Sequence, residues 1–221
     1  AMVKLIEDRM NVAYDVNTVG VQTVVLVEDS VRYYSSYLPM IYRTLFRQAR
    51  CLMTEGLNEW QQTMRMRGRP KIMLARTYEE AVQLYNTYKH NLLGIISDIT
   101  YKKGGEMDKH AGLKLCEYIR SENKELPILI QSSHLEHEPD AHNYSASFIY
   151  KHSKTLLKEL KEYIRLNYGF GDFVFRDPHT LAPIMRAHDL WDLQHRLMEV
   201  PSESFKFHVE NNDISKWLKA R

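Results

Sequence analysis

The stretch VQTVVLVEDSVR, residues 21–32, joins an apolar run to two adjacent carboxylates, Glu28 and Asp29. The run at 23–28 is typical of a strand buried on both faces, as in a parallel sheet. Acidic side chains at the end of such a strand repel each other and lose solvation. Two interpretations stay open on this stretch alone. Either the acids face water, with Asp29 or Ser30 capping a helix, or they form a functional pair.

Four more apolar runs alternate with helical patterns along the chain. They predict strands at 71–75, 92–98, 128–133 and 147–151. The helical patterns cover 2–15, 31–67, 78–90, 113–124 and 154–168, with Pro39 expected to kink the second, and with Thr77 and Ser153 as caps. This alternation predicts an α/β fold with a five-stranded parallel sheet, doubly wound, and ligands at the carboxyl ends of its strands.

The predicted organisation has three parts. Residues 1–20 are expected to form an N-terminal helical segment, residues 21–170 the sheet domain, and residues 171–221 a helical C-terminal extension or linker. The first helix of the sheet domain is unusually long, and we expect it to present an apolar or aromatic stripe to a partner. The chain is interpreted as a piece excised from a longer protein.

Composition excludes several classes of function. The 221 residues carry a net charge of +2, with 44% apolar and 26% charged residues, typical of a soluble globular protein. Mixed charge without a basic face argues against nucleic acid as a partner. The chain has neither an apolar run of about 18 residues nor a signal peptide, so we expect no membrane partner. Two cysteines, Cys51 and Cys116, fit a reducing cytoplasm.

Polar side chains gather at the predicted strand ends. These are Glu28 and Asp29 on the first strand, Asp98 on the third, Ser132 and Ser133 on the fourth, and Lys151 on the fifth. Three acids at one point need a hard cation, and Mg²⁺ prefers carboxylate oxygens. A lysine and a hydroxyl supply donors for phosphate oxygens. Together, the acids, the hydroxyl and the lysine suit phosphoryl transfer to a carboxylate.

The motifs VLVEDS, IISDIT, PILIQSS and FIYK resemble those of the receiver domain of two-component response regulators. The resemblance covers about residues 21–168 and implies a flavodoxin-like fold that regulates an output and is not itself an enzyme. It also implies a histidine kinase as phosphodonor. The implied roles are Asp98 as phospho-acceptor; Glu28, Asp29, Asp98 and the backbone carbonyl of Thr100 as holders of Mg²⁺; Ser132 and Lys151 as phosphate partners; and Phe148 as an aromatic switch.

Three departures from the family's pattern keep a second hypothesis open. Asp29 and Asp98 are 69 residues apart, which is more than in the family, and the segment KKGGEMDKH is added after the acceptor. His152 stands where the family has a proline joined by a cis bond, and a cis bond before a non-proline residue costs about 2.5–4 kcal/mol. The alternative is a receiver-derived scaffold for domain docking or dimerisation, without phosphotransfer.

Three rival sites each have a simpler interpretation. His134, Glu136, His137 and His142 are candidate zinc ligands, but their spacing favours a solvated loop. The row Tyr33, Tyr34, Tyr37 and Tyr42 has helical spacing and favours packing over a binding face. A phosphohydrolase of the haloacid dehalogenase type needs a second acid two residues after its aspartate, where this chain has Thr100.

The tail after Gly171 predicts two or three short helices. Expected caps are Asp177-Pro178, Ser202 and Asp213, and the expected small core comprises Trp191, Leu193, Phe207 and Trp217. The segment FHVENNDISKWL, residues 207–218, resembles the region before the catalytic domains of phosphoenolpyruvate synthase-type proteins. That resemblance implies a downstream domain in the same chain. The alternative is an appendage that covers the sheet or forms a homodimer.

Overall fold

The computed structural model describes the backbone of residues 1–54 and 68–220, and the side chains of residues 1–50 and 68–220. Its strands, in chain order, are β1 (Thr23–Val27), β2 (Lys71–Ala75), β3 (Leu92–Asp98), β4 (Tyr101–Lys103), β5 (Glu106–Asp108), β6 (Ile128–Ser132), β7 (Ser147–Tyr150), β8 (Phe173–Arg176) and β9 (Pro183–Ala187). Its α-helices are α1 (Met2–Tyr14), α2 (Val31–Thr54), α3 (Tyr78–Tyr88), α4 (Ala111–Glu122), α5 (Glu138–Asn143), α6 (Leu156–Asn167), α7 (Leu190–Glu199), α8 (Ser202–Glu210) and α9 (Asp213–Lys219).

Five parallel strands form the central sheet, in the order β2-β1-β3-β6-β7. All five lie within the apolar runs that predicted them, and the predicted doubly wound α/β fold is confirmed. The chain passes from β1 to β2 on one side and then to β3 on the other. Because this reversal opens a crevice between β1 and β3, ligand binding is expected at their carboxyl ends.

Helices cover both faces of the sheet. One layer packs α3 and α4 against Val25, Ile95 and Ile130. The other packs α2 and α6 against Leu26, Ile96 and Leu129. Each strand thus sends alternate side chains into two apolar layers, which explains why its sequence is a continuous apolar run instead of an alternating one.

The long helix α2 runs through Pro39 and is helical to Thr54. Its rings Tyr34, Tyr37 and Tyr42 are buried in the layer shared with α6, so the packing interpretation of the aromatic row is confirmed for these three. These rings therefore do not form the exposed stripe expected for a partner. The rest of the predicted helix, 55–67, lies outside the described residues.

Helix α1 is attached to the sheet by a buried polar network. Asp8 is fully buried and accepts hydrogen bonds from Arg69 Nη2 at 2.6 Å, Tyr42 Oη at 2.9 Å and the Ile72 amide at 3.0 Å. Lys71 also pairs with Asp15 at 2.6 Å, just after α1. The segment expected to be a separate N-terminal helix therefore packs on the start of β2.

Two hairpins lie where the sequence predicted a loop or helices. Strands β4 and β5 form an antiparallel pair inside the segment after Asp98, closed by Gly104 and Gly105 at positive φ. Strands β8 and β9 form a second pair in the tail. The expected helix cap at Asp177 is therefore wrong. The Asp177 carboxylate accepts hydrogen bonds from the amides of His179 and Thr180 and so closes a turn.

The tail otherwise has three short helices, within the predicted two or three. Its core contains Leu193 and Trp217, as predicted, together with Phe173, Phe175 and Ala187 from the hairpin. Trp191 is 65% exposed, so its assignment to this core is wrong. The rings of Phe173 and Phe175 from the hairpin fill this core, and Trp191 lies outside it.

The observed helix caps differ in part from the predicted ones. Thr77 caps α3 by accepting a hydrogen bond from the Glu80 amide at 3.2 Å, as expected. Helix α6 begins only at Leu156, after Thr155, and the Ser153 hydroxyl bonds to Glu159 at 2.6 Å. Ser202 and Asp213 are first helical residues and not caps. Within the described residues, no helix is both long and apolar enough to cross a membrane.

Candidate functional site

Strand register brings the acids of two neighbouring strands together. Val27 of β1 pairs with Ser97 of β3, so Glu28 and Asp98 follow at the same level of the sheet. Glu28, Asp29 and Asp98 each offer a carboxylate oxygen, and these three oxygens lie within 4.8 Å of one another. Among the described residues, this is the one group of His, Cys, Asp or Glu side chains that converges in this way.

Lys151 reaches into the acid group from the end of β7. Its Nζ lies 2.7 Å from Glu28 Oε2 and 2.7 Å from Asp98 Oδ2. The backbone amide of Lys151 donates to the Ser132 carbonyl at 2.8 Å, which continues the pairing of β6 and β7 past the last ladder residue. No cis peptide bond occurs in the described chain, so the bond to His152 is trans and Lys151 still reaches Asp98.

The end of β3 is fixed by close backbone packing. The Ile99 amide donates to Asp98 Oδ1 at 2.7 Å, and the Gly112 amide donates to the Ile99 carbonyl at 2.9 Å. A Cβ at Gly112 would collide with the Asp98 carbonyl oxygen. Glycine is therefore required where α4 approaches the acceptor strand.

Burial governs the electrostatics of the site. The side chains of Glu28 and Lys151 are 1% and 2% exposed, and that of Asp98 is 14% exposed. Burial raises the pKa of Glu28 to about 7, the charge of Lys151 opposes this rise, and the charge of Asp98 adds to it. Burial also raises the pKa of Asp98, again against the effect of Lys151. When all three carboxylates are ionised, the single ammonium leaves two negative charges uncompensated.

The donor set fits a hard divalent cation. Oxygens bound to one Mg²⁺ lie about 3 to 4 Å apart, so oxygens within 4.8 Å of one another need little movement to share an ion. A divalent charge would balance the excess of two negative charges. Glu28, Asp29 and Asp98 are the residues that would hold such an ion, and Asp29 and Asp98 are each partly accessible to solvent.

Ser132 and Phe148 lie on the neighbouring strands β6 and β7. Ser132 is 3% exposed, and its hydroxyl accepts a hydrogen bond from the His134 amide at 3.0 Å. Phe148 is half-buried and packs against the α3 and α4 layer. Thr100 follows β3 by two residues and is half-buried. The roles of these three residues stay predictions.

Three side chains that border the site were not assigned to it from the sequence, which favoured packing for Tyr33 and Tyr37 and did not name Gln131. The Tyr33 ring lies over Lys151, with 4.2 Å from Nζ to the ring centroid. Tyr37 stacks on Tyr33, and burial raises the pKa of its phenol, with Glu28 and Asp98 adding to the rise. Gln131 pairs in register with Asp98. Within the described part of the chain, neither Gln131 Nε2 nor the Tyr37 hydroxyl has a hydrogen-bond partner.

Gln131 is a polar residue inside the apolar run PILIQSS, and this was the one sequence feature that could have indicated a place beside the site. Tyr33 follows Asp29 by about one helical turn, but a helical row of rings by itself indicates packing only. Its contact with Lys151, 118 positions later in the chain, could not be read from local pattern.

The candidate zinc site, which the spacing disfavoured, gains no support from the described residues. His134 and His137 have ring centroids 6.0 Å apart, and His110 lies 6.1 Å from His137. Their ligand atoms do not form a converging group within the part of the chain that the structure describes. These rings stack edge to face beside the site.

No protein-family model matches the chain, and no curated protein matches it. Several solved structures are similar in fold. A phosphorylated cyanobacterial phytochrome response regulator, RcpA, is 15% identical, with 66% of this chain and 94% of that chain covered and a TM-score of 0.44. A sensor histidine kinase receiver domain from Pseudomonas aeruginosa, with magnesium in its active site cleft, is 15% identical over 66% of this chain and 95% of its own, with a TM-score of 0.44.

The response regulator TrrA from Thermotoga maritima, in complex with magnesium and beryllium fluoride, is 22% identical. The similarity covers 66% of this chain and 97% of that chain, with a TM-score of 0.39.

Proposed function

We propose that this domain is a signalling receiver that accepts a phosphoryl group on Asp98 with the help of Mg²⁺. The observation that carries the proposal is the convergence of Glu28, Asp29, Asp98 and Lys151 at the carboxyl edge of the sheet. The solved structures with magnesium named above have the same general fold. The resemblance of the four strand-end motifs supports the same function.

In the proposed reaction, a carboxylate oxygen of Asp98 attacks the phosphorus of the donor. A new P–O bond forms to Asp98, and the bond to the leaving group breaks. Bound Mg²⁺ would supply positive charge that offsets the repulsion between carboxylate and phosphate. Glu28 and Asp29 would hold it with Asp98 and the Thr100 carbonyl. Lys151 and Ser132 would donate to phosphoryl oxygens, since an ammonium and a hydroxyl are both suited to that task.

The finer parts of the proposal concern partners. The phosphodonor would be a histidine kinase, and Phe148 would carry the conformational change from β7 to an output.

The free, buried thiol of Cys116 suits a reducing cytoplasm. A phosphoenolpyruvate synthase-type output in the same chain rests on the resemblance of 207–218, and a homodimer remains the other route to an output.

The proposal is tested with acetyl phosphate as donor and Mg²⁺ in excess. Intact-mass spectrometry should find one added phosphoryl group on the wild-type chain and none on Asp98→Asn. Asp29→Asn should bind Mg²⁺ at least about tenfold more weakly by calorimetry, because one ligand charge is lost. Asp140→Asn is the matched control and should behave as wild type, because Asp140 is half exposed and outside the acid group.

Beryllium fluoride provides a second measurement, because it mimics a bound phosphoryl group. With Mg²⁺ it should raise the thermal midpoint of the wild type but not that of Asp98→Asn. A wild-type chain that gains no phosphate and shows no thermal shift would establish the alternative, a receiver-derived scaffold.

A further inference from the structure

Tyr33 contacts Lys151, the one lysine among the described residues that enters the acid group. Its ring centroid is 4.2 Å from Lys151 Nζ, well within the range at which an ammonium is attracted to the face of an aromatic ring. Lys151 is almost fully buried, so water screens this contact weakly. We propose that Tyr33 is a positioning residue that holds the Lys151 ammonium beside Asp98 for phosphoryl transfer. This role rests on the proposed function.

Lys151 needs a second support because its other contacts change during the reaction. In the structure, Glu28 and Asp98 hold Nζ, each at 2.7 Å. A divalent cation held by Glu28 and Asp98 would compete with Lys151 for those carboxylate charges before a phosphoryl group arrives to accept from the ammonium. The lysine stem is long and flexible, so an ammonium released by both acids would leave the site. The ring of Tyr33 does not compete for cation or phosphate, so its attraction persists.

The ring of Tyr33 is itself held in place. It stacks on Tyr37 with centroids 5.9 Å apart and an interplanar angle of 27°. Tyr37 is fully buried in the layer between the sheet and α6. Tyr33 also lies in the first turn of α2, where its amide donates to the Ser30 carbonyl at 3.1 Å. The position of the ring is therefore set by the core and not by solvent.

The proposed role uses the ring and not the phenol group. Among the described residues, the Tyr33 hydroxyl takes part in no hydrogen bond, whereas Tyr34 accepts one from Arg76 at 3.2 Å. Tyr33→Phe should therefore keep the function, and Tyr33→Leu should lose it. Phe46→Leu is a matched control: Phe46 lies on the same helix, and its ring lies 5.2 Å from the guanidinium carbon of Arg69, away from the acid group.

The contact is measured directly in protein labelled with ¹³C-lysine. The ring should displace the Lys151 methylene resonances next to Nζ upfield, with Lys151→Arg identifying the signal. We expect this displacement in wild type, Tyr33→Phe and Phe46→Leu, and its loss in Tyr33→Leu. The same variants are then phosphorylated with acetyl phosphate and Mg²⁺. Tyr33→Leu should react on the order of fivefold more slowly, and the other two should stay near the wild-type rate.

Pentafluorophenylalanine at position 33 separates charge attraction from packing. It keeps the shape of the ring but reverses the sign of its face, so the reaction should slow as in Tyr33→Leu while the thermal midpoint is retained. An unchanged Lys151 resonance in Tyr33→Leu, or an unchanged rate with the fluorinated ring, would overturn the role of Tyr33 alone. A wild-type chain that takes no phosphate would overturn the proposed function and this role together.

Discussion

At the residue scale, the site is a balance of buried charges. Glu28 is held by the Ser30 amide at 3.1 Å and by Lys151, yet burial outweighs both and raises its pKa to about 7. A carboxylate whose pKa is higher in the folded chain than in the unfolded chain binds its proton more tightly when folded. The metal-free site therefore stabilises the fold best when Glu28 is protonated.

This balance predicts a dependence of stability on pH. In EDTA, which keeps the site free of metal, protonated Glu28 contributes its full stabilisation below its unfolded pKa of 4.5. This contribution to the free energy of unfolding is lost as the pH rises through about 7, and the loss is up to about 3 kcal/mol. Glu28→Gln does not titrate, so its free energy of unfolding should fall less over this range. Urea unfolding across the range measures the difference.

Glu7→Gln is the control for this measurement, because the Glu7 side chain is 43% exposed and the hydrogen bond from Lys4 lowers the pKa of Glu7 instead of raising it. Its pH profile should run parallel to that of wild type. Parallel profiles for Glu28→Gln and wild type would show that burial does not raise the pKa of Glu28.

At the element scale, the strands were predictable and the hairpins were not. A strand buried on both faces is a continuous apolar run, and such a run can be recognised without knowing its neighbours. Strand β8 has only four residues, FVFR, followed by Asp-Pro. The sequence FVFR followed by Asp-Pro is equally compatible with a helix start at Asp-Pro and with a strand. Only the pairing of β8 with β9 decides between these two structures.

The cap of α3 gives a prediction at this scale. Thr77→Ala should lower the free energy of unfolding by about 1 kcal/mol, because the Glu80 amide loses the acceptor at the helix start. Thr87→Ala in the same helix is the control. The Thr87 hydroxyl bonds only back to the Gln83 carbonyl at 2.8 Å, so its removal should change stability little. Equal losses in the two variants would contradict the role of the cap.

At the scale of the whole molecule, the Asp8 network joins α1, α2 and β2. Asp8→Ala should cost about 3–5 kcal/mol, because Arg69, only 6% exposed, would be left with an uncompensated charge. The double variant Asp8→Leu, Arg69→Met should lose less, since neither charge is then buried. Chemical unfolding measures both variants. A double variant no more stable than Asp8→Ala would show that the network acts by packing and not by charge.

The sequence by itself determined the five strands and the order of acid, hydroxyl and lysine at their ends. Both follow from local pattern, because burial dictates the apolar runs and parallel strands present their carboxyl ends at one edge. Only the tertiary structure decided that Lys151 contacts Glu28, 123 positions away, and that Tyr33 covers it. It also decided that Asp8 meets Arg69 across 61 positions. Such contacts depend on strand register and on packing between distant segments, and local pattern does not specify either.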